Sequence, residues 1–486
     1  MHGPDLTLLT DFYQLTMMQG YYDLNSEDQI VVFDLFYRIN PHGSSFAIAA
    51  GLEQAIQYID NIKFTKEDIT YLRKQNIFKD DFLEYLKTFK FTGDIYSVPE
   101  GTVIFPGEPI LKVVAPLCEA QLIETALLNI INHQSLIATK AARVKWAAED
   151  DIVLEFGLRR AQGPDAGNLG ARAAVIGGCG ATSNVLAAKM FDIPAKGTHA
   201  HSWVMSFPDE LTSFRKYAEL YPMNCLLLVD TYDTLKSGVP NAIKVFNELK
   251  EKGIKPDFYG VRLDSGDLSY LSKKARIMLD EAGFEDAVIS ASSDLDEYLI
   301  RDLKLQGAKI TLWGVGTNLI TSKGNPSFGG VYKLSAKYNG EKFIPKMKIS
   351  ENPEKITNPG NKKIIRIYNK RSNKIKADLI TLNHEQVDET KPLVLFDPKD
   401  TWKHSTLQPG TYYTRELLVP IFINGKCVYD IPTTFKVKEY CDKELSTLWP
   451  ESRRLINPQN VFVDLSQELY DLKQSMIKQY KIKQPI

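Results

Sequence analysis

The sequence has few cysteines, and none of them lie close enough together to suggest a paired function. Five cysteines are spread over 486 residues, at positions 118, 179, 225, 427 and 441. An odd number of widely separated cysteines disfavours a disulfide framework and a structural zinc site. Reduced thiols of the kind found in the cytosol are the simpler interpretation, so we expect a cytoplasmic protein.

The chain also lacks an excess of one charge and a long apolar run. It has 59 Lys and Arg against 60 Asp and Glu, and its net charge is −1. This balance gives no electrostatic basis for binding nucleic acid or an anionic membrane. No apolar stretch approaches the ~20 residues of a membrane-spanning helix, and the N-terminal residues do not resemble a signal peptide. We therefore expect no nucleic-acid partner and no membrane segment.

What the sequence does contain is a series of five short apolar runs, each followed by polar, acidic or glycine residues. They cover residues 151–157, 226–233, 258–267, 287–294 and 309–317. Runs rich in Val, Leu and Ile are typical of parallel strands that are buried on both faces. The carboxyl ends of such strands meet on one side of an α/β barrel or sheet, where active sites form. We therefore predict an α/β fold with its active site on that side.

The segments before and after these runs have a different pattern, and the chain is long enough for two or three domains. The pattern predicts a helix within residues 5–22, a strand at 31–38, helices between 48 and 90, antiparallel hairpins between 93 and 116, and a helix at 118–150. Residues 331–438 are β-rich and precede two predicted helices, near 439–449 and 464–482. We divide the chain into an N-terminal α/β domain with β-hairpins (1–140), an α/β barrel domain (141–335) and a C-terminal β-rich and helical segment packing on the other two (336–486).

One segment after the predicted barrel is rich in basic residues. Residues 351–376 contain eight Lys and Arg side chains, with Lys362 and Lys363 among them. A nucleic-acid site is one interpretation, but the balanced net charge of the whole chain favours a solvated hairpin.

Two of the predicted strands end in pairs of aspartates. Asp230 and Asp233 follow one strand, and Asp264 and Asp267 follow another, with Arg262 two residues before Asp264. Residues two apart on a strand share a face, so Arg262 and Asp264 are expected to point into one cavity. Arginine suits a carboxylate or a phosphate, and aspartates hold Mg²⁺ or sugar hydroxyls. A structural Arg–Asp ion pair is the alternative, but the second aspartate pair favours a functional site.

The last of the five strands ends in two glycines and a threonine, Gly314, Gly316 and Thr317. Glycines let backbone N–H groups approach an anion, and the Thr317 hydroxyl adds a donor. A tight turn is the alternative, but phosphate sites in barrels often lie at the loops after the late strands. We therefore predict a phosphate site here.

Aromatic residues near the predicted site allow two interpretations each. Phe156 lies just before Arg159 at the end of the first strand, where its ring either stacks on a flat ligand or belongs to the core. Tyr13 either binds a ligand or lies on the apolar face of the first helix with Met17, Met18 and Tyr21. Periodicity alone favours the core position for Tyr13.

Two of the seven histidines flank a single alanine in the segment 196–202. His199 and His201 share one face if the chain stays extended there. They could form a metal pair, act as a general base, or include a nucleophile that takes a phosphoryl group. The metal interpretation is weakened because no third His or Cys lies nearby. Lys196, in the same segment, is a candidate for a Schiff base.

These residues resemble the motifs of the nicotinate phosphoribosyltransferase family. The matching segments run in order along nearly the whole chain, at residues 8–17, 156–161, 197–202, 229–234, 262–268, 314–317, 329–334 and 449–458. The resemblance implies the type II phosphoribosyltransferase fold, an irregular α/β barrel with a helix-and-sheet domain formed by the N-terminal and flanking segments. It also implies a homodimer with shared active sites.

The same resemblance implies an ATP-coupled first step of NAD biosynthesis from nicotinate. Nicotinate and 5-phosphoribosyl 1-diphosphate give nicotinate mononucleotide and diphosphate, while ATP and water give ADP and phosphate. By position in the family's motifs, His201 is implied to be the phosphorylated histidine. Tyr13, Thr198 and Arg262 are the implied nicotinate contacts, and Thr317 is an implied contact of the phosphoribosyl diphosphate.

The chemistry of this reaction agrees with the remaining candidates. Loss of diphosphate from the ribose builds positive charge at its C1 atom, so the site needs carboxylates near the ribose and Mg²⁺ and cations on the leaving group. Asp230 and Asp264 suit the ribose and metal-bound water, and Phe156 suits the nicotinate ring. Arg159 and the glycines Gly314 and Gly316 suit the phosphates. Mg²⁺ is expected to act mostly through diphosphate and water, near Asp230 and Asp264.

Three other functions compete with this interpretation. A nicotinamide enzyme of the same fold would place an Asp against the substrate amide, whereas the comparable residues 180–184 offer hydroxyls and no carboxylate. A barrel aldolase would use Lys196 as its Schiff base. A nucleotide-sensing module would leave the aspartate clusters idle. The retention of every motif favours the nicotinate enzyme.

Overall fold

The computed structural model describes residues 5–482 and divides the chain into two compact units. Unit 1 takes in Met1–Leu136, Ser327–Pro432 and Glu439–Ile486, and unit 2 takes in Ile137–Pro326 and Thr433–Lys438. The sequence suggested three consecutive segments, whereas each unit combines stretches that are distant in sequence. The segment boundaries at 140 and 335 stay predictions. Within residues 5–482, every helix is too short or too polar to cross a lipid bilayer.

The helices and strands are numbered here in chain order. The N-terminal part contains α1 (Phe12–Asp23), β1 (Ile30–Tyr37), β2 (Ala47–Ile48), α2 (Leu52–Asn61), α3 (Lys66–Arg73), α4 (Asp80–Lys87), β3 (Asp94–Ser97), β4 (Val103–Ile104), β5 (Leu111–Pro116), α5 (Leu117–Leu122) and α6 (Glu124–Ala148). The central part contains β6 (Ile152–Glu155), α7 (Pro164–Ile176), β7 (Ala181–Thr182), α8 (Val185–Phe191), α9 (His201–Met205), α10 (Glu210–Leu220), β8 (Asn224–Leu228), α11 (Val239–Glu251), β9 (Phe258–Leu263), α12 (Leu268–Glu281), β10 (Val288–Ala291), α13 (Glu297–Leu305), β11 (Leu312–Val315) and α14 (Thr317–Ile320). The C-terminal part contains β12 (Gly330–Tyr338), β13 (Phe343–Pro345), β14 (Lys362–Asn369), β15 (Ile375–Leu382), β16 (Leu393–Phe396), β17 (His404–Leu407), β18 (Tyr412–Glu416), β19 (Val419–Ile423), β20 (Lys426–Cys427), α15 (Thr434–Ser446), β21 (Phe462–Leu465) and α16 (Gln467–Ile482). Single helical turns lie at Pro41–Gly43, Leu158–Arg160, Thr234–Gly238, Pro353–Lys355 and Pro450–Arg453, and the turn Thr234–Gly238 is π-helical.

Unit 2 is built on a parallel sheet of six strands in the order β7-β6-β11-β10-β9-β8. Five of these strands are the predicted apolar runs, and their largely buried residues confirm the predicted α/β fold. The sequence did not show β7, because two residues are too few to form a recognisable pattern.

A segment without regular strand structure lies between the two outer strands of this sheet. Lys196 N donates to Thr182 O of β7 at 2.9 Å, and the Thr198 hydroxyl donates to Leu226 O of β8 at 2.6 Å. The backbone N–H of Leu228 donates to the Nε2 atom of His199 at 3.2 Å. The two outer strands β7 and β8 do not pair with each other. Hydrogen bonds from this segment, two of them through side chains, take the place of strand pairing there, so the sheet of unit 2 resembles an irregular barrel.

Unit 1 combines an antiparallel sheet with helices. Its seven-stranded sheet has the order β13-β12-β1-β5-β3-β19-β20, and a four-stranded sheet has the order β18-β14-β15-β21. The predicted strand at 31–38 and the hairpin between 93 and 116 are confirmed by β1 and by the antiparallel pair β3 and β5. Amphipathic helices α2, α3 and α4 bury their apolar faces in the same core, with Phe82 and Leu86 fully buried.

The first helix has the predicted position but a different buried face. Helix α1 begins at Phe12 and buries Gln14, Leu15 and Met18, whereas Tyr13 is 50% exposed and Met17 is 37% exposed. The prediction that Tyr13 belongs to the apolar core face is therefore wrong. The reason is that the side-chain amide of Gln14 donates a hydrogen bond to the buried Glu124 carboxylate at 3.1 Å. This bond stabilises Gln14 on the buried face of α1, so Tyr13 lies on the exposed face.

The basic segment 351–376 forms part of a hairpin, but the hairpin is not solvated. Strands β14 and β15 pair antiparallel. Lys362 and Arg366 are buried, and their charges are paired with Asp34 at 2.7 Å and with Asp378 at 2.6 Å. Charge counts along a sequence do not reveal such pairing, because the partners come from distant segments of the chain.

Candidate active site

The carboxyl ends of strands β8, β9 and β10 bring together the main candidates from the sequence. Arg262 of β9 is in register with Leu228 of β8 and with Ser290 of β10. Two residues after Arg262, the backbone N–H of Asp264 donates to Asp230 Oδ2 at 2.7 Å. The two aspartates that follow neighbouring strands are therefore in direct contact, as the parallel topology requires.

The two members of each aspartate pair have different roles. Asp230 and Asp264 face the strand ends. Asp233 accepts a backbone N–H of the following π-helical turn at 2.9 Å, and Asp267 accepts a backbone N–H in the first turn of α12 at 2.9 Å. Asp233 and Asp267 are therefore capping residues, which accept N–H groups that a helix start leaves without partners.

Arg262 is the central cation of this cluster. Its Nη2 atom lies 3.7 Å from Asp264 Oδ1, and its Nη1 atom donates to the carbonyl oxygen of His199 at 3.3 Å. Burial lowers the pKa of the Arg262 guanidinium while Asp264 and Asp230 oppose that effect, and an arginine stays charged in any case. Its Nε atom is buried and has no hydrogen-bond partner among residues 5–482. A buried donor of this kind favours binding of an anionic group.

The two carboxylates are held by hydroxyl and backbone donors. Ser292 Oγ donates to Asp264 Oδ1 at 2.5 Å, and Ser265 Oγ donates to Asp230 Oδ2 at 2.7 Å. The other oxygen of Asp230, Oδ1, is buried and has no partner within the described residues. The cluster thus presents an unpaired donor at Arg262 and an unpaired acceptor at Asp230.

His201 lies at the edge of this cluster, at the first residue of α9. Its Nδ1 atom is 3.0 Å from the Thr231 hydroxyl, and its Nε2 atom is 3.8 Å from Asp264 Oδ2. A carboxylate on the Nε2 side favours the tautomer that carries the proton on Nε2. In that tautomer Nδ1 carries a lone pair, which accepts a hydrogen bond from the Thr231 hydroxyl.

His199 has a different environment from His201, so the two histidines do not form a pair. The chain does not stay extended through this segment, because α9 begins at His201. His199 is 7% exposed, and its Nε2 atom accepts the backbone N–H of Leu228 at 3.2 Å. Burial lowers the pKa of His199 to about 4, so the ring is neutral at physiological pH. The geometry makes His199 a structural residue that supports β8.

Phe156 and the glycines of the last strand are in contact. A Cβ atom placed on Gly314 would lie 2.6 Å from the Phe156 ring, and one placed on Gly316 would lie 3.1 Å from the Phe156 carbonyl oxygen. The half-buried ring of Phe156 therefore needs glycine at position 314. Thr317 is partly exposed at the start of the short helix α14, and Arg159 is exposed in the turn after β6.

The other predicted residues occupy defined positions. The Thr198 hydroxyl is already bonded to Leu226 O, so its hydrogen is used within the barrel. Lys196 is exposed, which disfavours a Schiff-base role because such lysines are usually desolvated. Tyr13 belongs to unit 1 and is half exposed on the surface of α1.

Several residues that hold the site were not identified from the sequence. Thr231, Ser265 and Ser292 contact the predicted residues directly. All three follow the apolar strand runs, which is the one signal that could have indicated them. Glu155 at the end of β6 is buried and accepts the Thr182 hydroxyl at 2.5 Å, and burial raises its pKa. Its role as an internal acceptor depends on β7, which the sequence did not show.

The aspartates fit an indirect role in holding Mg²⁺. Within residues 5–482, no group of three or more His, Cys, Asp or Glu side chains is arranged to bind a metal ion on its own. Asp230 nevertheless offers a buried unpaired oxygen next to the Asp264 carboxylate. Two carboxylates suit an ion that keeps most of its ligands as water and phosphate oxygens.

Comparisons with known proteins agree with this architecture over the whole chain. Models described as the N-terminal domain, the family and the C-terminal domain of nicotinate phosphoribosyltransferase match residues 8–132, 152–348 and 361–473. The chain is 49% identical over 476 residues to a nicotinate phosphoribosyltransferase of Bacillus subtilis (strain 168), covering 98% of this chain and 96% of the relative. It is 32% identical over 528 residues to the Homo sapiens nicotinate phosphoribosyltransferase, covering 96% of each. The crystal structure of human nicotinic acid phosphoribosyltransferase superposes with a TM-score of 0.84 at 30% identity, over 96% of this chain and 99% of that one. The chain belongs to the nicotinate phosphoribosyltransferase family.

Proposed function

We propose that this protein transfers the phosphoribosyl group of 5-phosphoribosyl 1-diphosphate to the ring nitrogen of nicotinate, with hydrolysis of ATP. The observation that carries the proposal is Arg262, whose buried Nε donor has no partner among the described residues and lies beside two carboxylates. A guanidinium in this state suits the carboxylate of nicotinate. Membership of the family supports the same reaction.

In the transfer step, the bond between ribose C1 and the diphosphate oxygen breaks, and the electron pair leaves with diphosphate. The nicotinate ring nitrogen donates the electron pair that forms the new C1–N bond. Positive charge develops on the ribose between these events, and the carboxylates of Asp230 and Asp264 stabilise it electrostatically. Because Ser292, Ser265 and the backbone N–H of Asp264 fix these carboxylates, little reorganisation is needed during the reaction.

The substrate rings and phosphates have separate candidate positions. Phe156, held against Gly314, would pack on the nicotinate ring, and Thr198 would contact nicotinate through its backbone or its oxygen lone pair. Arg159, Gly316 and Thr317 would contact the phosphates of the phosphoribosyl diphosphate.

His201 would carry the phosphoryl group that couples ATP hydrolysis to transfer. Its Nδ1 lone pair attacks the γ-phosphorus, the bond to the β,γ-bridging oxygen breaks, and ADP leaves. Water later attacks the same phosphorus, the N–P bond breaks, and phosphate is released. Asp264 supports this role because its carboxylate, 3.8 Å from Nε2, stabilises the positive charge of the phosphorylated ring.

Mg²⁺ would be held by the diphosphate, by water and by the Asp230–Asp264 side of the site. When bound, it supplies charge neutralisation on the leaving diphosphate. The protein residues orient the carboxylates toward that position through the Ser265 and Ser292 hydroxyls.

We further propose that the enzyme works as a homodimer in the cytoplasm and that Tyr13 completes the partner's site. Tyr13 is half exposed on α1, outside the buried face formed by Gln14, Leu15 and Met18. An exposed aromatic residue of this kind suits an interface.

The nicotinamide alternative is disfavoured by the residues in its comparable stretch. Thr182 donates to Glu155, Ser183 is exposed, and Asn184 caps α8. Residues 180–184 contain no carboxylate that could accept a hydrogen bond from an amide.

The decisive experiment measures diphosphate release with nicotinate or nicotinamide, each with and without ATP. We expect one nicotinate mononucleotide for each diphosphate, a clear increase in rate or yield with ATP, and little reaction with nicotinamide. Faster turnover with nicotinamide, or diphosphate release without a nucleotide product, would show that the proposed substrate is wrong.

A further inference from the structure

The carboxylate of Glu155 is a buried polar group that the proposed mechanism does not use. Glu155 is fully buried and is the last residue of β6, next in the chain to Phe156. Strand β6 lies between β7 and β11 in the sheet of unit 2, and Glu155 is in register with Thr182 of β7. A buried carboxylate destabilises a fold unless hydrogen-bond donors or a cation accompany it. The partners of Glu155 therefore decide how this position is stabilised.

Two donors from different parts of the chain satisfy this carboxylate. The Thr182 hydroxyl donates to Oε2 at 2.5 Å, and the backbone N–H of Gly157 donates to Oε1. Burial raises the pKa of Glu155, and both hydrogen bonds lower it, so the bonds favour the ionised form. Glu155 thus ties the turn after β6 to β7.

The turn held by Glu155 carries two residues of the proposed site. Phe156 and Arg159 lie on either side of Gly157, at the point where β6 leads into a single helical turn. The backbone N–H of Phe156 donates to the adjacent strand β11 at 2.8 Å, and Glu155 accepts the next N–H along the chain. These two bonds fix the backbone from which both side chains project.

The turn is also packed tightly against α14. A Cβ atom placed on Gly157 would lie 2.5 Å from the Cβ atom of Ile320 and 2.9 Å from Glu155 Oε1, so only glycine fits between the carboxylate and this helix. Helix α14 begins at Thr317, the proposed phosphate contact. Through Gly157, Glu155 is thus connected to two elements that carry proposed substrate contacts.

On the other side of the carboxylate, Thr182 continues the hydrogen bonds to two helices. Its hydroxyl oxygen accepts the backbone N–H of Asn184 at 3.0 Å. The Asn184 side chain accepts the backbone N–H of Ala187 in α8 at 3.1 Å and donates to the carbonyl oxygen of Gly167 in α7 at 3.2 Å. Because these bonds join β6, β7, α7 and α8, they fix the turn after β6 to the rest of the sheet and its helices.

We propose that Glu155 and Thr182 are positioning residues for substrate binding. The carboxylate holds Gly157, and the Thr182 hydroxyl holds the carboxylate, so Phe156 and Arg159 are oriented before substrates bind. Such preorganisation reduces the ordering that binding would otherwise require. This role rests on the proposed function, because it takes Phe156 as a contact of nicotinate and Arg159 as a contact of the phosphoribosyl diphosphate.

The test measures the steady-state kinetics of Thr182→Val with nicotinate and with 5-phosphoribosyl 1-diphosphate. Valine has the shape of threonine without the hydroxyl, so Glu155 loses one donor. We expect both KM values to rise by about tenfold, with kcat changed by less than about threefold. Thr182→Ser keeps the hydroxyl and should bring both KM values to within about threefold of wild type. In a Phe156→Ala background, Thr182→Val should raise the KM for nicotinate by less than about twofold, because the ring that it orients is absent.

Thr92→Val in unit 1 is the matched control. Glu119 is also buried, and it accepts the hydroxyl and the backbone N–H of Thr92 at 2.8 and 2.6 Å. This variant removes the same kind of bond outside the proposed site, so it should lower stability while both KM values stay at the wild-type level. Glu155→Gln, which replaces one acceptor oxygen by an amide, should raise both KM values and keeps the test valid if Thr182→Val does not fold.

The outcomes separate this role from the proposed function. Wild-type protein that forms no nucleotide from nicotinate would overturn both. In an active enzyme, wild-type KM values in folded Thr182→Val or Glu155→Gln, or a loss of kcat alone, would overturn the positioning role and leave the proposed function standing. Equal rises in KM for Thr182→Val and Thr92→Val, or an undiminished rise in the Phe156→Ala background, would overturn it as well.

Discussion

At the scale of single residues, aspartates that are only three positions apart have different contacts. Asp230 and Asp264 contact each other at the strand ends, whereas Asp233 and Asp267 cap the helical turns that follow. The repeated arrangement follows from the geometry of a strand that leads into a helix. The first polar residue remains at the end of the strand, and the residue three positions later meets the free N–H groups of the helix start.

Replacement of Arg262 or Asp264 should remove activity without unfolding the protein. Arg262→Lys loses the Nε donor, and Asp264→Asn loses the charge that faces both Arg262 and His201. We expect kcat/KM to fall by about a hundredfold or more in each case. Asp267→Asn is the matched control, because asparagine also caps helices well. Near-normal kcat/KM in a folded Asp264→Asn protein would exclude Asp264 from the site.

The phosphoryl carrier can be identified by labelling. With γ-labelled ATP, wild-type protein should acquire an acid-labile, base-stable label at His201, as expected for an N–P bond. His201→Ala should lose the label and the gain from ATP while keeping slow ATP-independent transfer, because the carboxylates and the phosphate loop remain. His384→Ala, at an exposed histidine paired with Glu468, serves as the control. Label on Ser202 or His199 would contradict the assignment.

The buried residue Asp464 of β21 gives a prediction about stability. Its folded-state pKa of about 7 lies above the ordinary value of 3.8, so the folded state holds the proton more tightly than the unfolded state does. Stability from this group is therefore present below about pH 4 and is lost as the pH rises to about 7. Asp464→Asn should increase the free energy of unfolding at pH 8 more than at pH 5, by up to about 3 kcal/mol, and the melting temperature should rise accordingly.

The control for this comparison is Asp430→Asn, whose exposed side chain should give the same small difference at both pH values. If the change in melting temperature caused by Asp464→Asn is independent of pH, or is larger at pH 5, folding does not raise the pKa of Asp464.

At the scale of secondary-structure elements, the parallel sheet of unit 2 depends on an irregular segment between β7 and β8. Thr198 and His199 bond to the edge of β8 through side-chain atoms. The same segment leads directly into α9, whose first residue is His201. The element that fills the gap in the sheet therefore also positions the proposed nucleophile.

The contact between β11 and Phe156 gives a prediction at this scale. In Gly314→Ala the new Cβ atom would lie 2.6 Å from the Phe156 ring, which must then move. We expect the KM for nicotinate to rise by about tenfold with a smaller change in kcat, because ring packing contributes to binding. Gly20→Ala, in α1 with no atom within 4 Å of the new Cβ, is the control. An unchanged KM for nicotinate would show that Phe156 does not contact the nicotinate ring.

At the scale of the whole molecule, the chain consists of two units that are interleaved in sequence. Unit 1 takes residues from both ends of the chain, and the long helix α6 contains the boundary between residues 136 and 137. The segments matched by the family models, residues 8–132, 152–348 and 361–473, include parts of both units. The proposed site residues are divided in the same way, with Tyr13 in unit 1 and the aspartates in unit 2.

Complementation between subunits tests the proposed homodimer. Tyr13→Ala and Asp264→Ala should each be inactive alone. If Tyr13 acts in the partner's site, an equal mixture after subunit exchange should recover up to about a quarter of wild-type activity through hybrid dimers. Tyr71→Ala, at an exposed tyrosine of α3, should stay active alone. No recovery after demonstrated exchange would place Tyr13 in the site of its own chain or outside it.

The sequence by itself determined the alternation of strands and helices in unit 2, the hairpins of unit 1 and the family. Buried parallel strands must be apolar along their whole length, and polar residues at their ends must meet on one side, so both features can be read from a linear pattern. The same reasoning gave the direct approach of Arg262 and Asp264, because positions two apart on a strand share a face.

The tertiary structure decided what depends on residues far apart in the chain. The burial of Gln14 in place of Tyr13 depends on Glu124, and the burial of Lys362 depends on Asp34. The different roles of His199 and His201 depend on Leu228 and Thr231, which lie about thirty residues later. A sequence pattern records the periodicity of one element, whereas a buried polar group is stable only when a partner from another element satisfies it.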